Sequence, residues 1–308
     1  MAKAREIRKR IKAVANIRRI TKTMQMIATS KFAKAQQRAT ASKPFTEGIF
    51  QLVTELAAKA GNVSHPLING PTGGPKGKPL VLVVTSDRGL CGPYNGLVLR
   101  LGAKHIREVR AAGQEVEIEL SGRKGVAFCR FNKIEVGRMH NEFGDNPKYD
   151  AAERLAQDYM DRFLSGRNSS ISIISMKFLS AGKQRPEVLQ LLPLKPPTAG
   201  SGGAPSSEKG ASRDGGKDGR QHRVDYEFSP SPEELLGELL PATVKATLFQ
   251  CLLDAAVSEH VARMVAMKAA TDNAAKMGKL LNRKFNRARQ AQITTELTEI
   301  VSGAAALE

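Results

Sequence analysis

The chain has no tryptophan and only three cysteines, and aromatic residues make up 5% of its 308 positions. Each scarcity excludes something. Cys91, Cys129 and Cys251 are odd in number and far apart, which argues against a disulfide framework and fits a reducing compartment. Few aromatics leave little for base stacking. The first segment holds only Phe32 before Pro44, so a reader of single-stranded nucleic acid would lack its platform. No apolar run approaches the ~20 residues of a membrane-spanning helix. The basic start, Met1 to Arg10, has no apolar segment of the kind a signal peptide needs. A soluble, cytoplasmic protein is the expectation. Acid is nearly missing from residues 1–43, where thirteen Lys and Arg face Glu6 alone. Proline is missing from Ala242 to Glu308, where the only glycines are Gly278 and Gly303.

Without helix breakers, the C-terminal stretch reads as one helix. At ~1.5 Å per residue, Ala242 to Ser302 spans roughly 90 Å, far more than a compact domain needs. A rod of that length requires a partner along it. The N-terminus offers one: Ile7, Ile11, Val14, Ile17, Ile20, Met24 and Ile27 recur every three or four residues. The stripe reads as a coiled-coil seam with a three-residue irregularity. Matching positions on the C-terminal segment are Val257, Val261 and Met264, then Met277, Leu281, Phe285 and Ala288, then Ile293, Leu297, Ile300 and Ala304. One stripe is too small in apolar area to offset the ordering of about forty residues. The two ends of the chain are therefore expected to pair with each other, antiparallel.

The net charge of +18 is concentrated on these helices. Besides the basic N-terminal segment, Lys276, Lys279, Arg283, Lys284, Arg287 and Arg289 form a second cluster with no acid among them. Charge alone leaves nucleic acid, an anionic membrane surface, an acidic protein partner and a solvated face all open.

Between the helices the pattern changes. Leu80 to Thr85 (LVLVVT) is β-branched, apolar and bounded by turn residues, a buried strand. Further strands are expected at Glu115 to Leu120, near Ile134 to Val136, at Ser170 to Phe178 and at Glu187 to Leu192, with helices at Gly96 to Ala112, Lys124 to Phe131 and Tyr149 to Ser165. Alternation of this kind implies a small, mostly parallel α/β domain. From Thr198 to Gln221 there are seven glycines and no large apolar residue, the composition of a flexible insertion. The expected organisation is an N-terminal helix (1–60), a linker loop (61–79), the α/β domain (80–197), the insertion (198–221) and a C-terminal helix (222–308).

Signs of catalysis are weak. Cys91, in Gly89-Leu90-Cys91-Gly92, follows a strand, but no Lys-Ser/Thr pair follows it and no histidine is near enough in sequence to act as base. Gly122-Arg123-Lys124-Gly125 reads as a strand-to-helix turn before it reads as an anion site. His65, His105, His140, His222 and His260 show no metal-ligand spacing. No Gly-rich dinucleotide fingerprint follows the first strand.

Several motifs carry a resemblance. IRRITKTMQMIATSKF near the N-terminus, TSDRGLCG at Thr85 to Gly92, ARMVAMKAATDN at Ala262 to Asn273 and RQAQITTELTEIVSGAAAL at Arg289 to Leu307 resemble the gamma-subunit family of F-type ATP synthases, in its bacterial form. The resemblance implies a fold in which a long antiparallel coiled coil of the two terminal segments rises from a central Rossmann-like α/β domain. It also implies a rotor shaft that transforms no substrate and carries no catalytic residue, cofactor or metal. The implied partners are the alpha and beta subunits of the catalytic head, the epsilon subunit and the c-subunit ring. Proton flow would turn the ring and shaft, on the cytoplasmic face of the cell membrane, as a peripheral component held there only through the complex. By position within the motifs, Met24, Arg263, Gln290, Thr294 and Glu296 are the implied contacts with beta subunits. Two features depart from the family pattern: Pro93-Tyr94-Asn95 after Gly92, and the long, cysteine-free Thr198 to Gln221 insertion, to which thiol regulation does not carry over. The rival reading is a basic coiled-coil protein that binds nucleic acid.

Overall fold

The computed structural model describes residues 2–59, 65–70, 77–194 and 232–305; the expected insertion and His222 lie outside the described residues. In chain order the elements are α1 (Ala2–Lys59), α2 (Pro66–Asn69), β1 (Leu80–Val84), α3 (Tyr94–Ala111), β2 (Glu117–Ser121), α4 (Arg123–Phe131), β3 (Arg138–His140), α5 (Tyr149–Leu164), β4 (Ile171–Ser180), β5 (Lys183–Leu192) and α6 (Pro232–Ala305). The short helix α2 falls inside the segment expected as a loop. Helix α6 begins ten residues before Ala242 and carries Pro241 within it, as α1 carries Pro44. Proline removes a helical hydrogen bond and normally ends a helix. Here buried neighbours, Leu240 and Val244 in α6 and Ile49 and Val53 in α1, hold the chain helical through tertiary contact.

Helices α1 and α6 pair antiparallel over most of the length of α1. The Thr271 hydroxyl donates to that of Thr21 at 2.9 Å, while Ala35 and Ala39 cluster with Leu253 and Val257, the reversed order that antiparallel packing demands. The seam differs from the expected stripe. On α1 it steps by sevens through Ile7, Val14, Thr21, Ala28, Ala35, Ser42, Ile49 and Leu56, all buried or half-buried, with no irregularity. Ile17, Ile20 and Ile27 are instead about half exposed. The reason is geometric. Two successive three-residue steps after Val14 each fall about 60° short of a full helical turn, so the stripe of large residues drifts off the contact face. Small residues take its place on the seam. On α6 the seam includes Val257, Val261, Leu281, Phe285 and Ala288, whereas Met277 faces out.

The sheet has the order β3-β2-β1-β4-β5 and is parallel apart from the β4–β5 hairpin. Its third strand lies four residues later than expected. Arg138 to His140 pair with Glu119 to Ser121, while Ile134 and Val136 serve as apolar filling beside α4. Alternation along β1 serves two cores. Val81 and Val83 face α3 and α4; Leu80, Leu82 and Val84 face α5 and the lower halves of α1 and α6. The coiled coil thus grows directly out of one core of the α/β domain. One stretch of α6 is long and apolar enough to cross a membrane by composition, and more than half of it is buried within the molecule.

Two carboxylates, one fully and one partly buried, meet opposite fates. Glu119, fully buried on the α5 side of β2, accepts from the Tyr159 hydroxyl at 2.8 Å and from Arg162 Nη1 at 2.8 Å, and lies 2.7 Å from His140 Nε2. Burial pushes its pKa up, but these hydrogen bonds together outweigh burial and hold it at about 2. Asp254 of α6 borders a cavity of about 170 Å³ shared with Thr46, Ser175, Lys177, Glu187 and Cys251. It accepts from Gln250 Nε2 at 3.0 Å, while Lys177 is engaged by Glu187 at 3.4 Å. Burial prevails there and pushes Asp254 up to about 6.

Removing the Glu119 carboxylate leaves the buried Tyr159 hydroxyl without its acceptor and takes from Arg162 its most deeply buried partner, although Arg162 keeps Asp158 at 2.7 Å. Glu119→Ala should cost about 3–5 kcal/mol in urea unfolding at pH 7. A depressed pKa contributes stability that is complete above the unfolded value and is lost as pH falls. The gap between wild type and Glu119→Ala should therefore close between pH 4.5 and about 2; a gap independent of pH would show the loss to be one of packing. Asp254→Asn should do the reverse and stabilise the chain at pH 7 by about 1–3 kcal/mol. Its raised pKa makes the folded state take up a proton first, so the gain should shrink as pH falls from about 6 to 3.8. Destabilisation at pH 7 would mean that the carboxylate has a stronger partner than Gln250.

Candidate partner-binding surfaces

The first surface is the end of α6. Counting one residue each way from the Thr21–Thr271 contact, the start of α1 lies opposite residues near Gln290, so about fifteen residues, ~20 Å of helix, continue without α1 beside them. Ile293, Leu297, Ile300 and Val301 are exposed there, Ile300 by 68%. At 100° per residue they do not continue the seam. The seam residues Leu281, Phe285, Ala288 and Gln292 point one way, and Leu297 and Val301 point almost opposite. Gln290 and Thr294 sit on the same face as Leu297 and Val301, while Glu296 lies beside the Ile293–Ile300 edge. The Thr294 hydroxyl donates to the Gln290 carbonyl at 3.0 Å, and Gln292 Nε2 donates to Glu296 Oε1 at 2.8 Å. Gln290, Thr294 and Glu296 are thus all exposed, and together they border a single apolar stripe.

The second surface is a flank of α1. Ile17, Ile20 and Ile27 form an exposed ridge with half-buried Met24 among them, while exposed Arg18, Arg19 and Lys22 lie on other faces of the helix. The periodicity in the sequence identified this ridge and assigned it to the wrong neighbour: it lies beside the seam and looks outward.

The third lies at the C-terminal ends of the parallel strands. In doubly wound sheets a crevice opens where successive connections leave on opposite faces, here between β1 and β4. Helix α6 fills it. Gly92, at φ 56°, brings the turn after β1 so close that a Cβ there would lie 3.6 Å from the Ala266 Cβ. Arg263, the fifth of the expected contacts, is 8% exposed. Its guanidinium donates to Glu259 at 2.5 Å, to the Arg88 carbonyl at 3.2 Å and, through Nε, to the Gly89 carbonyl at 3.5 Å. Burial pushes the Glu259 carboxyl up, and Arg263 opposes the shift. The i, i+4 spacing of Glu259 and Arg263 was visible in the sequence; that both face the strand turn was not. Nor was the ion pair between Lys31 of α1 and Asp145, which joins residues more than a hundred positions apart.

The weak catalytic motifs resolve into structural roles. Cys91 is buried and takes a hydrogen bond from Asn95 Nδ2 at 3.2 Å, as part of a network with Ser86. The Gly125 amide donates to the Thr85 hydroxyl at 2.9 Å, so the protein itself occupies that helix start. Gly122, at φ 91°, is required there: a Cβ would lie 2.1 Å from the Thr85 carbonyl oxygen. Among the described residues, no three histidine, cysteine or acidic side chains gather as metal ligands would.

Comparison with known proteins agrees with this architecture. A family model described as ATP synthase matches residues 3–307. The ATP synthase gamma chain of Rhodopirellula baltica is 41% identical over 308 residues, with both chains covered in full. That of Leptospira biflexa is 39% identical over 307 residues, again with full coverage of both. Among solved structures, a chain of the Euglena gracilis mitochondrial ATP synthase (OSCP/F1/c-ring) superposes with a TM-score of 0.61 at 15% identity, covering 99% of this chain and 95% of its own. A chain from the rotor of the same enzyme gives 0.59, covering 95% and 99%. With a family match from end to end and relatives near 40% identity across their full length, this chain belongs to the ATP synthase gamma chain family.

Proposed function

We propose that this chain is the central shaft of a rotary F-type ATP synthase and couples proton flow through a membrane ring to ATP synthesis or hydrolysis at beta subunits. The observation that carries the reading is the end of α6, which outruns α1 and presents an apolar stripe turned away from the seam. Such a face calls for an enclosing partner: covering each of its large side chains would contribute roughly 1.5–3 kcal/mol. A collar formed by alternating alpha and beta subunits supplies that cover. Gln290, Thr294 and Glu296 border the stripe, and Met24 with the isoleucine ridge lies lower on the shaft; these are the surfaces on which beta subunits would read its orientation. The basic residues of α1 and α6 suit acidic loops on those subunits, because long-range attraction needs no fixed geometry and permits sliding. The α/β domain stands at the far end of the shaft, where the epsilon subunit and the c-ring would hold it. The chain would then lie on the cytoplasmic face of the membrane as a peripheral subunit. It would transmit torque and catalyse nothing itself, consistent with a strand-end crevice filled by its own helix.

Reconstitution tests this directly. Mixed with matching alpha and beta subunits, the chain should yield a complex of 3:3:1 composition whose ATPase activity falls when residues 293–308 are deleted. No complex, together with tight DNA binding at physiological salt and a steep salt slope, would put the nucleic-acid reading in its place. Met24→Lys adds a charge at a contact that must slide. It should lower proton pumping per ATP hydrolysed several-fold while complex yield stays within twofold of wild type. Parallel loss of yield and activity would instead mark Met24 as a packing residue whose replacement buries an unpaired charge.

A further inference from the structure

Two polar ties fasten the coiled coil to the α/β domain at the same height. On α6, Arg263 bridges Glu259 and the carbonyls of Arg88 and Gly89. On α1, Lys31 pairs with Asp145 in the loop after β3. The antiparallel register puts Lys31 opposite residues 261–263, so both ties lie on one level. It is also the level at which the shaft leaves the domain. Below it, α6 is buried almost continuously from Leu252 to Val261; beyond Met267 only its seam residues are covered.

The material of the joint changes at that level. Lower down, α6 rests mainly on leucine, valine and phenylalanine side chains of the main core, with the Lys245–Glu153 ion pair at 2.9 Å joining single flexible side chains at its margin. Apolar contact is non-directional and resists twisting weakly. A guanidinium shared between a carboxylate and two carbonyls fixes distance and angle together. The turn it holds is itself unusual. Leu90 has a φ of 64° and is 61% exposed, a backbone state that bulky residues avoid unless their surroundings impose it. Gly92 packs on Ala262 and Ala266, and the Ser86–Asn95 hydrogen bonds close the turn from behind.

We infer that Arg263 is a positioning residue that acts inward: with Glu259 it clamps the Asp87–Gly92 turn to α6, and with the Lys31–Asp145 pair it forms a polar collar that locks the shaft against twisting relative to the α/β domain. The inference rests on the shaft reading for its consequence, transmission of torque, but not for the clamp itself. It gives Arg263 a role different from that of Met24, Gln290, Thr294 and Glu296, which look outward.

Arg263→Lys separates the possibilities, since it keeps the charge and loses the fork. In the isolated full-length chain, amide hydrogen exchange across Ser86 to Gly92 should quicken at least tenfold in Arg263→Lys, and similarly in Glu259→Gln. The double variant should be no worse than either single one, as expected for partners in one contact. Unchanged exchange in both single variants overturns the clamp, and this arm needs no other subunit. In the reconstituted, membrane-bound enzyme, proton pumping per ATP hydrolysed should fall at least twofold in both variants at equal complex yield. Retained coupling in Arg263→Lys with a loosened turn overturns the role in transmission. Glu259→Gln neutral while Arg263→Ala uncouples and Arg263→Lys rescues it would mean that the charge serves a partner instead. Failure of the wild-type chain to assemble would count against the shaft reading and leave the exchange result standing.

Discussion

Everything above the sheet depends on the seam between α1 and α6. Among the described residues neither helix has another partner of comparable extent, and a long isolated helix with a narrow apolar stripe is marginal in water. The pairing joins the start of α1 to residues near Gln290 of α6, so the α/β domain is inserted between two segments that pair with each other. The seam is lined where it matters most by alanine and threonine, Ala28, Ala35 and Ala39 on one side and Thr271 on the other. Small residues let the two helices approach closely, and close approach makes a thin pair stiff. The large apolar residues that would have made a thicker seam are left on the outside, available to other chains.

At its base the pair is embedded. The core that joins Leu80, Leu82 and Val84 to Leu240, Val244 and Leu248 makes shaft and sheet one body, and it lets both helices run through proline. Around this core the protein retains costly groups. Glu119 is satisfied by three partners and stays ionised; Asp254, with fewer donors around it, is pushed towards protonation. Burial pushes both carboxylates up, and only at Glu119 do the hydrogen bonds and positive partners around it outweigh burial.

How the candidate surfaces relate to the sequence differs from residue to residue. Gln290, Thr294 and Glu296 came from motif position alone, and they lie where the helix has outrun its partner. Met24 came the same way and lies in an outward ridge. Arg263 came from motif position too, yet it is buried against a turn 175 residues earlier in the chain. Sequence spacing shows which residues share a helical face. It cannot show what that face meets, because the neighbour is chosen by the fold.

The sequence by itself determined the two long helices, their antiparallel partnership, the alternating α/β domain and the family. Each of these follows from local periodicity, from the absence of helix breakers or from contiguous motifs. Tertiary structure alone decided the register of the seam, the start of α6 ahead of Pro241, the place of β3 and the inward turn of Arg263. In each case the deciding contacts join residues far apart in the chain. A drift of 60° per misread step, one proline's lost hydrogen bond or one ladder pairing is small beside the packing energy of a whole core, so the core settles them.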